Sequence, residues 1–567
     1  MRFKCICLFL FIPIATVFGH SNDSSDMPPV TYDPAHTPLS GYKEYISTHP
    51  WTPVEVEQVY KTQVSKNKDT KFFIIVNSSL YGSISSSINQ YATDLDSAGY
   101  TVETYTWSGG TAVDLRTFLR DSSSGLVGVV LIGNLPIAWY EINHQPDGWP
   151  TYEDFPCDLY YMDLNGTWLD TATTSPCQAG VFDGHSGSVD PEIWVGRLTA
   201  GPLGDEVTFI NKYLAKAHKY RTGSFALNDR ALIYIDDDWA GGEGYYDYSS
   251  YIDGCIALAY PTRVLINEFD TTCRDDYRDT RLTGNYAWFH IFLHSSSNEH
   301  FFKLHGDGTW DTDWWGGYKT VNYNDIKTRK PLAFFYNLFC CSNCRYTESN
   351  YMGGWYIFAD SCGLGAIGST KTGSMFDFSY FYASLGNHKC LGEAFNDWWV
   401  AISPYDDSDK HWYYGLTLLG DPTLVPRPET PGIEEIANCK LSRCIGTKLS
   451  AYPNPFSTKT IIRLQTIDYR PQTKNENNTD EKSSVFGLRS SVSLRIYDLS
   501  GRLIRSFPIN QSTNHQLTSV VWDGRDDRGK RVPSGVYLYQ LTSCNYKSSN
   551  PFLYGNGTNK LIFINQY

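Results

Sequence analysis

The chain has 567 residues, a formal charge of −14, and 41 tyrosines with 16 tryptophans to build cores from. That length implies three or four domains. The acidic balance argues against nucleic acid or anionic lipid as partners, since both select basic surfaces, and no segment beyond the amino terminus approaches the roughly 18 apolar residues of a membrane span.

In chain order, MRFKCICLFLFIPIATVFG has a basic start (Arg2, Lys4), an apolar stretch from Cys5 to Val17 and a small Gly19. This is the pattern of a secretory signal over residues 1–19, which implies export. Of 14 cysteines, Cys5 and Cys7 fall inside that segment. The other twelve are too sparse for a small disulfide scaffold, and the short-range pairs Cys157 with Cys177, Cys255 with Cys273, and Cys439 with Cys444 are the expected bridges. Residues 20–70, with six prolines, read as an arm or a short pro-segment.

From Lys71 the hydrophobic period switches repeatedly between that of a strand and that of a helix. KFFIIVN (71–77), TVETYTW (101–107) and GLVGVVLIGNLP (125–136) predict strands; residues 83–100 and 111–121 predict the helices between them. Such alternation implies a mostly parallel sheet covered on both faces, here an α/β unit over 71–222 that closes with a helix at 207–220. A second α/β unit over 223–430 has strands at 230–238, 263–269, 286–294, 331–340 and 364–370, and helices at 351–361 and 390–402. Three of its strands end in chemically able residues: Asp238, His294 and the Cys340–Cys341 pair. Ligands of open α/β sheets bind beyond the carboxyl ends of the strands, so one rim can collect all three.

PRPETPGIEEI begins a linker extending to residue 447. From 448 to 567, short alternating strands joined by DLSGR, DGRDDRG and PSG turns predict a β-sandwich of immunoglobulin type. TKNENNTDEKSS (473–484) reads as a mobile loop.

The cluster Cys340, Cys341 and Cys344 admits three readings: a disulfide, for instance to Cys362; a zinc knot; or a catalytic thiol. Zinc lacks the second ligand cluster it needs. A thiol nucleophile requires an imidazole to move protons and donors for the oxyanion, which His294 and nearby backbone amides can supply. His290, inside its strand, reads as structural. HGDGTWDTDWW (305–315) and YMDLNGTWLD (161–170) fall short of a full calcium loop and read as turns first, structural calcium sites second.

These residues resemble the gingipain-type cysteine peptidases, relatives of caspases and legumains, over roughly 71–426. PEIWVGRLTA (191–200) is similar to the family's hydrophobic-Gly-Arg-hydrophobic strand, and CSNCRYT (341–347) to its Cys-x-x-Gly-x-Phe block, with Cys344 at the glycine and Tyr346 at the aromatic. LGAIGSTKTGSM (364–375) and LLGDPTL (418–424) are similar to the segments that follow. The resemblance implies two caspase-like, doubly wound α/β subdomains followed by the immunoglobulin-like domain. It makes Cys341 the nucleophile, His294 the general base and acid, and an acid in IDDD their partner, Asp238 ahead of Asp237. The oxyanion donors it implies are the amides of Ser295 and Cys341. Two departures stand out: His294-Ser295 replaces His-Gly, and Cys344 replaces glycine.

YPNPF, IYDLSGR and WDGRDDRGKRVPSGVY resemble the carboxyl-terminal sorting modules of the type IX secretion route. Polypeptide substrates and that secretion machinery are the implied partners, with no required cofactor and a secreted or cell-surface, bacterial outer-membrane destination. The competing class is a non-catalytic surface or adhesion protein that reuses the peptidase fold.

Overall fold

The computed structural model describes residues 33–62, 70–143, 152–172, 174–225, 228–426, 446–452, 459–467, 491–498, 502–509, 518–533, 535–544 and 559–563. The signal-like segment, most of the linker, Cys439, Cys444 and the insert 473–484 lie outside the described residues. The chain divides into two compact units, residues 1–430 and 431–567.

The apolar runs of the first unit form the strands of one sheet: β1 (Glu55–Lys61), β2 (Lys71–Asn77), β3 (Thr101–Ser108), β4 (Leu126–Ile132), β5 (Trp194–Leu198), β6 (Ala231–Ile235), β7 (Arg263–Ile266), β8 (Trp288–Phe292), β9 (Phe335–Phe339), β10 (Gly365–Ser369) and β11 (Leu416–Gly420). Their spatial order is β1-β3-β2-β4-β5-β11-β10-β9-β8-β6-β7. Neighbours are parallel except β1 with β3 and β10 with β11, so the two α/β halves meet in one continuous sheet as two parallel sets running in opposite directions. Residues 72–76 are completely shielded from solvent, as a parallel sheet covered on both faces requires. Amphipathic helices supply the cover, among them Ser78–Ser97, Glu206–Arg221 and Leu391–Ile402.

Within the second half the order β7-β6-β8-β9-β10 is the 2-1-3-4-5 arrangement. It reverses between its first and third strands, β6 and β8, which opens a crevice at their carboxyl ends. Asp238 and His294 follow those two strands, and Cys341 follows the next strand over.

The motifs of the sequence meet physically behind this rim. Arg197 in β5 is buried and binds Asp158 through Nε (2.8 and 2.9 Å), and its guanidinium lies 4.4 Å from the Tyr346 ring. Asp158 also accepts from Tyr346 Oη (3.1 Å) and Thr417 Oγ1 (2.6 Å). A Cβ on Gly196 would lie 2.5 Å from Pro422 Cδ, so the Gly-Arg strand needs its glycine to let the GDPTL segment approach. Arg197→Met would strand the Asp158 carboxylate in the interior. We expect a loss of about 3–5 kcal/mol in stability, measured as a fall in the denaturant midpoint at unchanged slope.

Neither the Cys157–Cys177 nor the Cys255–Cys273 bridge forms, and Cys340 and Cys344 are not bonded to Cys362. Cys157, Cys177, Cys255, Cys273, Cys340, Cys341, Cys344, Cys362 and Cys390 all carry thiols. Cys157 is sealed in the core, whereas Cys177 borders Glu141. Cys340 and Cys344 are turned into the core, and burial pushes both thiols up, away from ionisation.

The second unit contains a three-stranded sheet (446–452, 460–467, 518–522) and a four-stranded sheet (503–509, 491–498, 535–544, 559–563), all antiparallel. Ile462 and Trp522 of the first share a core with Leu494, Ile496 and Tyr537 of the second, which makes the unit a sandwich.

Candidate active site

β8 and β9 pair in register through Phe292 and Phe339, and the next amide, Leu293 N–H, donates to Phe339 O at 3.2 Å. Two residues on, the ends of these adjacent strands carry His294 and Cys341, and a 2.7 Å bond from Ser295 Oγ to Cys341 O ties the two ends together. Trp239 fixes the face on which His294 lies: its ring packs on Phe292, Phe339 and His294, with centroids 6.3, 5.6 and 4.8 Å away.

The carboxylate partner comes from the turn after β6. His294 Nε2 lies 2.8 Å from Asp238 Oδ2, so within IDDD it is Asp238 that meets the imidazole. Burial alone would raise the Asp238 carboxyl. The His294 bond and the positive charge of Lys303 outweigh that and hold it below the usual carboxylate range. Asp237 is turned elsewhere, accepting from Gly306 N–H (2.7 Å) and Thr272 Oγ1 (3.2 Å), and burial pushes its carboxyl up to about 6. Asp236 accepts from Lys303 N–H at 2.9 Å, and burial raises its carboxyl well above the usual range.

Of the three clustered cysteines, Cys341 lines an open cleft of about 260 Å³. Ser342, directly after it, has φ of +51°, a left-handed conformation that non-glycine residues adopt at a cost. That turn is pinned by Ser342 N–H to Lys371 O and Cys344 N–H to Ser369 O, both 2.9 Å. It separates Cys341, facing the cleft, from Cys340 and Cys344, facing the core.

Both departures from the resembled pattern have local explanations. Cys344 fits because two glycines make room: a Cβ on Gly353 or Gly368 would lie 2.5 or 2.7 Å from its sulfur. The Ser295 side chain is occupied with the Cys341 carbonyl. Its backbone belongs to the hairpin that pairs 294–295 with 300–301, where Ser296 N–H donates to Glu299 O. Alternate residues of an antiparallel ladder turn their N–H groups outward, so the Ser295 amide faces away from its hairpin partner.

His290 is structural, buried against Phe292 and bonded to Tyr382 Oη at 2.6 Å, and burial depresses its basicity. In the two acidic loops, Asp163 accepts from Gly166 N–H, Asn165 N–H and Trp168 Nε1 and bonds His185 Nε2, and Asp313 accepts from Trp315 and Gly317 N–H. Among the described residues no three His, Cys, Asp or Glu side chains gather as a metal set.

Four residues that the sequence reading left out press on the site: Trp239, Lys303, Trp310 and Glu243. The Trp310 ring meets that of His294 edge-on at 5.2 Å. Residues of the amino-terminal arm also enter the cleft, where Asp33, His36, Thr37 and Leu39 line the same space as Cys341. The arm is tied down by Arg345 Nη2 to Ser40 O (2.7 Å) and Ser40 N–H to Glu348 Oε1 (2.9 Å).

A sequence model of Peptidase family C25 matches residues 65–427, and one of the FlgD Ig-like domain matches residues 477–546. No curated protein matches the chain. Among solved structures, the chain is similar to dimeric latent PorU from Porphyromonas gingivalis at 23% identity, covering 21% of this chain and 9% of that one, with a TM-score of 0.15. It is also similar to the sensor domain of the anti-sigma factor RsgI4 in Pseudobacteroides cellulosolvens, at 12% identity over 21% of this chain and 76% of that one, with a TM-score of 0.14. The chain spans less than a tenth of PorU's length, and neither structural likeness bears on fold or function.

Proposed function

The chain belongs to peptidase family C25, and from that premise we propose that it is a secreted cysteine endopeptidase using Cys341, His294 and Asp238. Cys341 Sγ attacks the scissile carbonyl carbon while its proton passes to the imidazole. Because Nε2 of His294 is committed to Asp238, Nδ1 is the nitrogen that exchanges that proton. The carbonyl oxygen becomes an oxyanion, for which the outward-facing Ser295 amide and the Cys341 amide are the donors. Collapse of the intermediate breaks the C–N bond, the amine leaves with the proton from His294, and Cys341 holds the acyl group as a thioester. Water, deprotonated by the same imidazole, then releases the acid.

One observation carries this reading: of three neighbouring cysteines only Cys341 borders the cleft, and the strand it follows pairs with the strand that is followed by an imidazole bonded to a carboxylate. Export is supported by the signal-like residues 1–19, and passage by the type IX route by the sequence blocks of the second unit.

The test is incubation with mixed peptides and with a thiol alkylator, followed by mass mapping of the modified residue. Cleavage together with preferential labelling of Cys341 supports the proposal; neither cleavage nor selective labelling removes it. Since the arm walls one part of the cleft and Cys341 is only 2% exposed, removing residues up to Leu39 should raise both rates at least about tenfold, the factor a weak intramolecular competitor would impose. Equal rates with and without the arm would show that it merely wraps the surface.

A further inference from the structure

Lys303 lies in the run Phe301-Phe302-Lys303-Leu304 and is only 3% exposed. A lysine is seldom buried to that degree unless it is paired, and this one is enclosed by specific groups. Its Nζ stands 3.1 Å from Asp238 Oδ1 and 3.0 Å from Glu243 Oε2, and lies 5.2 Å from the centre of the Trp310 ring, the ring that meets His294 edge-on. Asp238 is thus shared: one oxygen on the imidazole, the other on the ammonium. We propose that Lys303 is a positioning residue of the peptidase site: clamped between Asp238 and Glu243, it aims the Asp238 carboxylate at His294 and sets how firmly the imidazole keeps its proton.

The surroundings of Glu243 are shaped for this contact. Glu243 has φ of +54°, strained for a residue with a side chain, and its N–H donates to Gly306 O at 2.8 Å. Gly308, with φ of +82°, lies under its carboxylate, where a Cβ would come within 1.5 Å of Oε1. A strained backbone and a glycine therefore let an otherwise ordinary surface acid reach inward to the lysine.

The sign of the effect follows from charge. A cation beside Asp238 opposes the imidazolium, and an anion beside that cation relieves the opposition. The other titratable groups around the lysine are fixed in different roles. Asp236 accepts from the Lys303 amide and burial raises its carboxyl above the usual range; Asp237, raised to about 6, faces Gly306 and Thr272. His300, on the paired strand, is buried against Tyr356 with its basicity depressed to about 3, and Asp311 is tied to Lys319 at 3.0 Å.

This inference rests on the proposed roles of Cys341, His294 and Asp238, and two readouts on the full chain separate its failure from theirs. The first is the pH profile of kcat/KM; the second is the pH profile of Cys341 alkylation by iodoacetamide, which needs no turnover. In both, the midpoint governed by the imidazole should rise by about one pH unit in Lys303→Met and fall by about half a unit in Glu243→Gln. Lys303→Arg should stay near the native profile. Because burial raises the Asp237 carboxyl to about 6, the shifts should also persist in an Asp237→Asn background. A residue that only held the hairpin in place would lower the rates without moving the midpoints in opposite directions. Unmoved midpoints, or shifts of the same sign in K303M and E243Q, overturn the proposal; if K303M fails to fold, E243Q and K303R still decide it. Opposed shifts in alkylation without any peptide cleavage would uphold the role of Lys303 and remove the peptidase reading instead.

Discussion

Cys341→Ala is expected to lower peptide hydrolysis by roughly four orders of magnitude or more, with little change in thermal stability. The sulfur lines the cleft rather than the core, so its removal leaves no interior cavity, whereas the acyl-transfer step loses its nucleophile outright. Cys340→Ala and Cys344→Ala provide the matched comparison. Both thiols are buried in the apolar core and burial pushes them away from ionisation, so each substitution should cost about 1 kcal/mol of stability and leave turnover near native. Three cysteines within five residues then give one catalytic loss and two packing losses. A C341A protein that still cleaves peptides, or a folded C340A protein that does not, would reassign the nucleophile.

How much of this was legible beforehand depended on the range of the interaction. The strands at 71–77, 126–132 and 335–339 announce themselves because each has a short apolar run buried in a parallel sheet, and the helices at 112–121 and 391–402 because one face is apolar. The union of the two halves was not legible. It rests on β11, which pairs antiparallel with β10 and touches β5 through the single pair Leu419 and Arg197, and no local pattern encodes a partner more than two hundred residues away. The same holds for the buried network of Arg197, Asp158, Tyr346 and Thr417: the sequence displayed the Gly-Arg and Cys-x-x-x-x-Tyr blocks as separate motifs, and only folding showed that one carboxylate joins them. The Cys157–Cys177 and Cys255–Cys273 pairings failed for a related reason. Closeness in sequence says nothing about which way a thiol turns, and Cys340, Cys344 and Cys157 turn inward.

The candidate site divides in the same way. Residues at strand ends were legible because an open sheet directs chemistry to that rim, which is why Asp238, His294 and Cys341 could be picked from a linear string. Lys303 and Glu243 were not, because a lysine after two phenylalanines and a glutamate among glycines look like an edge strand and a solvated turn. Their meaning appears only when the hairpin folds over the β6 turn and puts both against Asp238.

That arrangement makes Asp238→Asn the sharpest test of the carboxylate. The isosteric amide should still pack between His294 and Lys303, so the fold should survive, yet hydrolysis should fall about a thousandfold. Two causes act together. The amide lacks the charge that stabilises the imidazolium, and its NH2 group can donate to Nε2, which favours the tautomer whose Nδ1 carries a hydrogen and cannot accept the thiol proton. Losing the anion also leaves Lys303 opposed only by Glu243, so the imidazole midpoint should move to lower pH, the direction expected for E243Q. Combining D238N with K303M should then restore part of that midpoint without restoring the rate, a non-additivity expected of groups in direct contact. A D238N enzyme with near-native turnover and an unmoved pH profile would make Cys341 and His294 a self-sufficient dyad and reduce the 2.8 Å contact between His294 and Asp238 to packing.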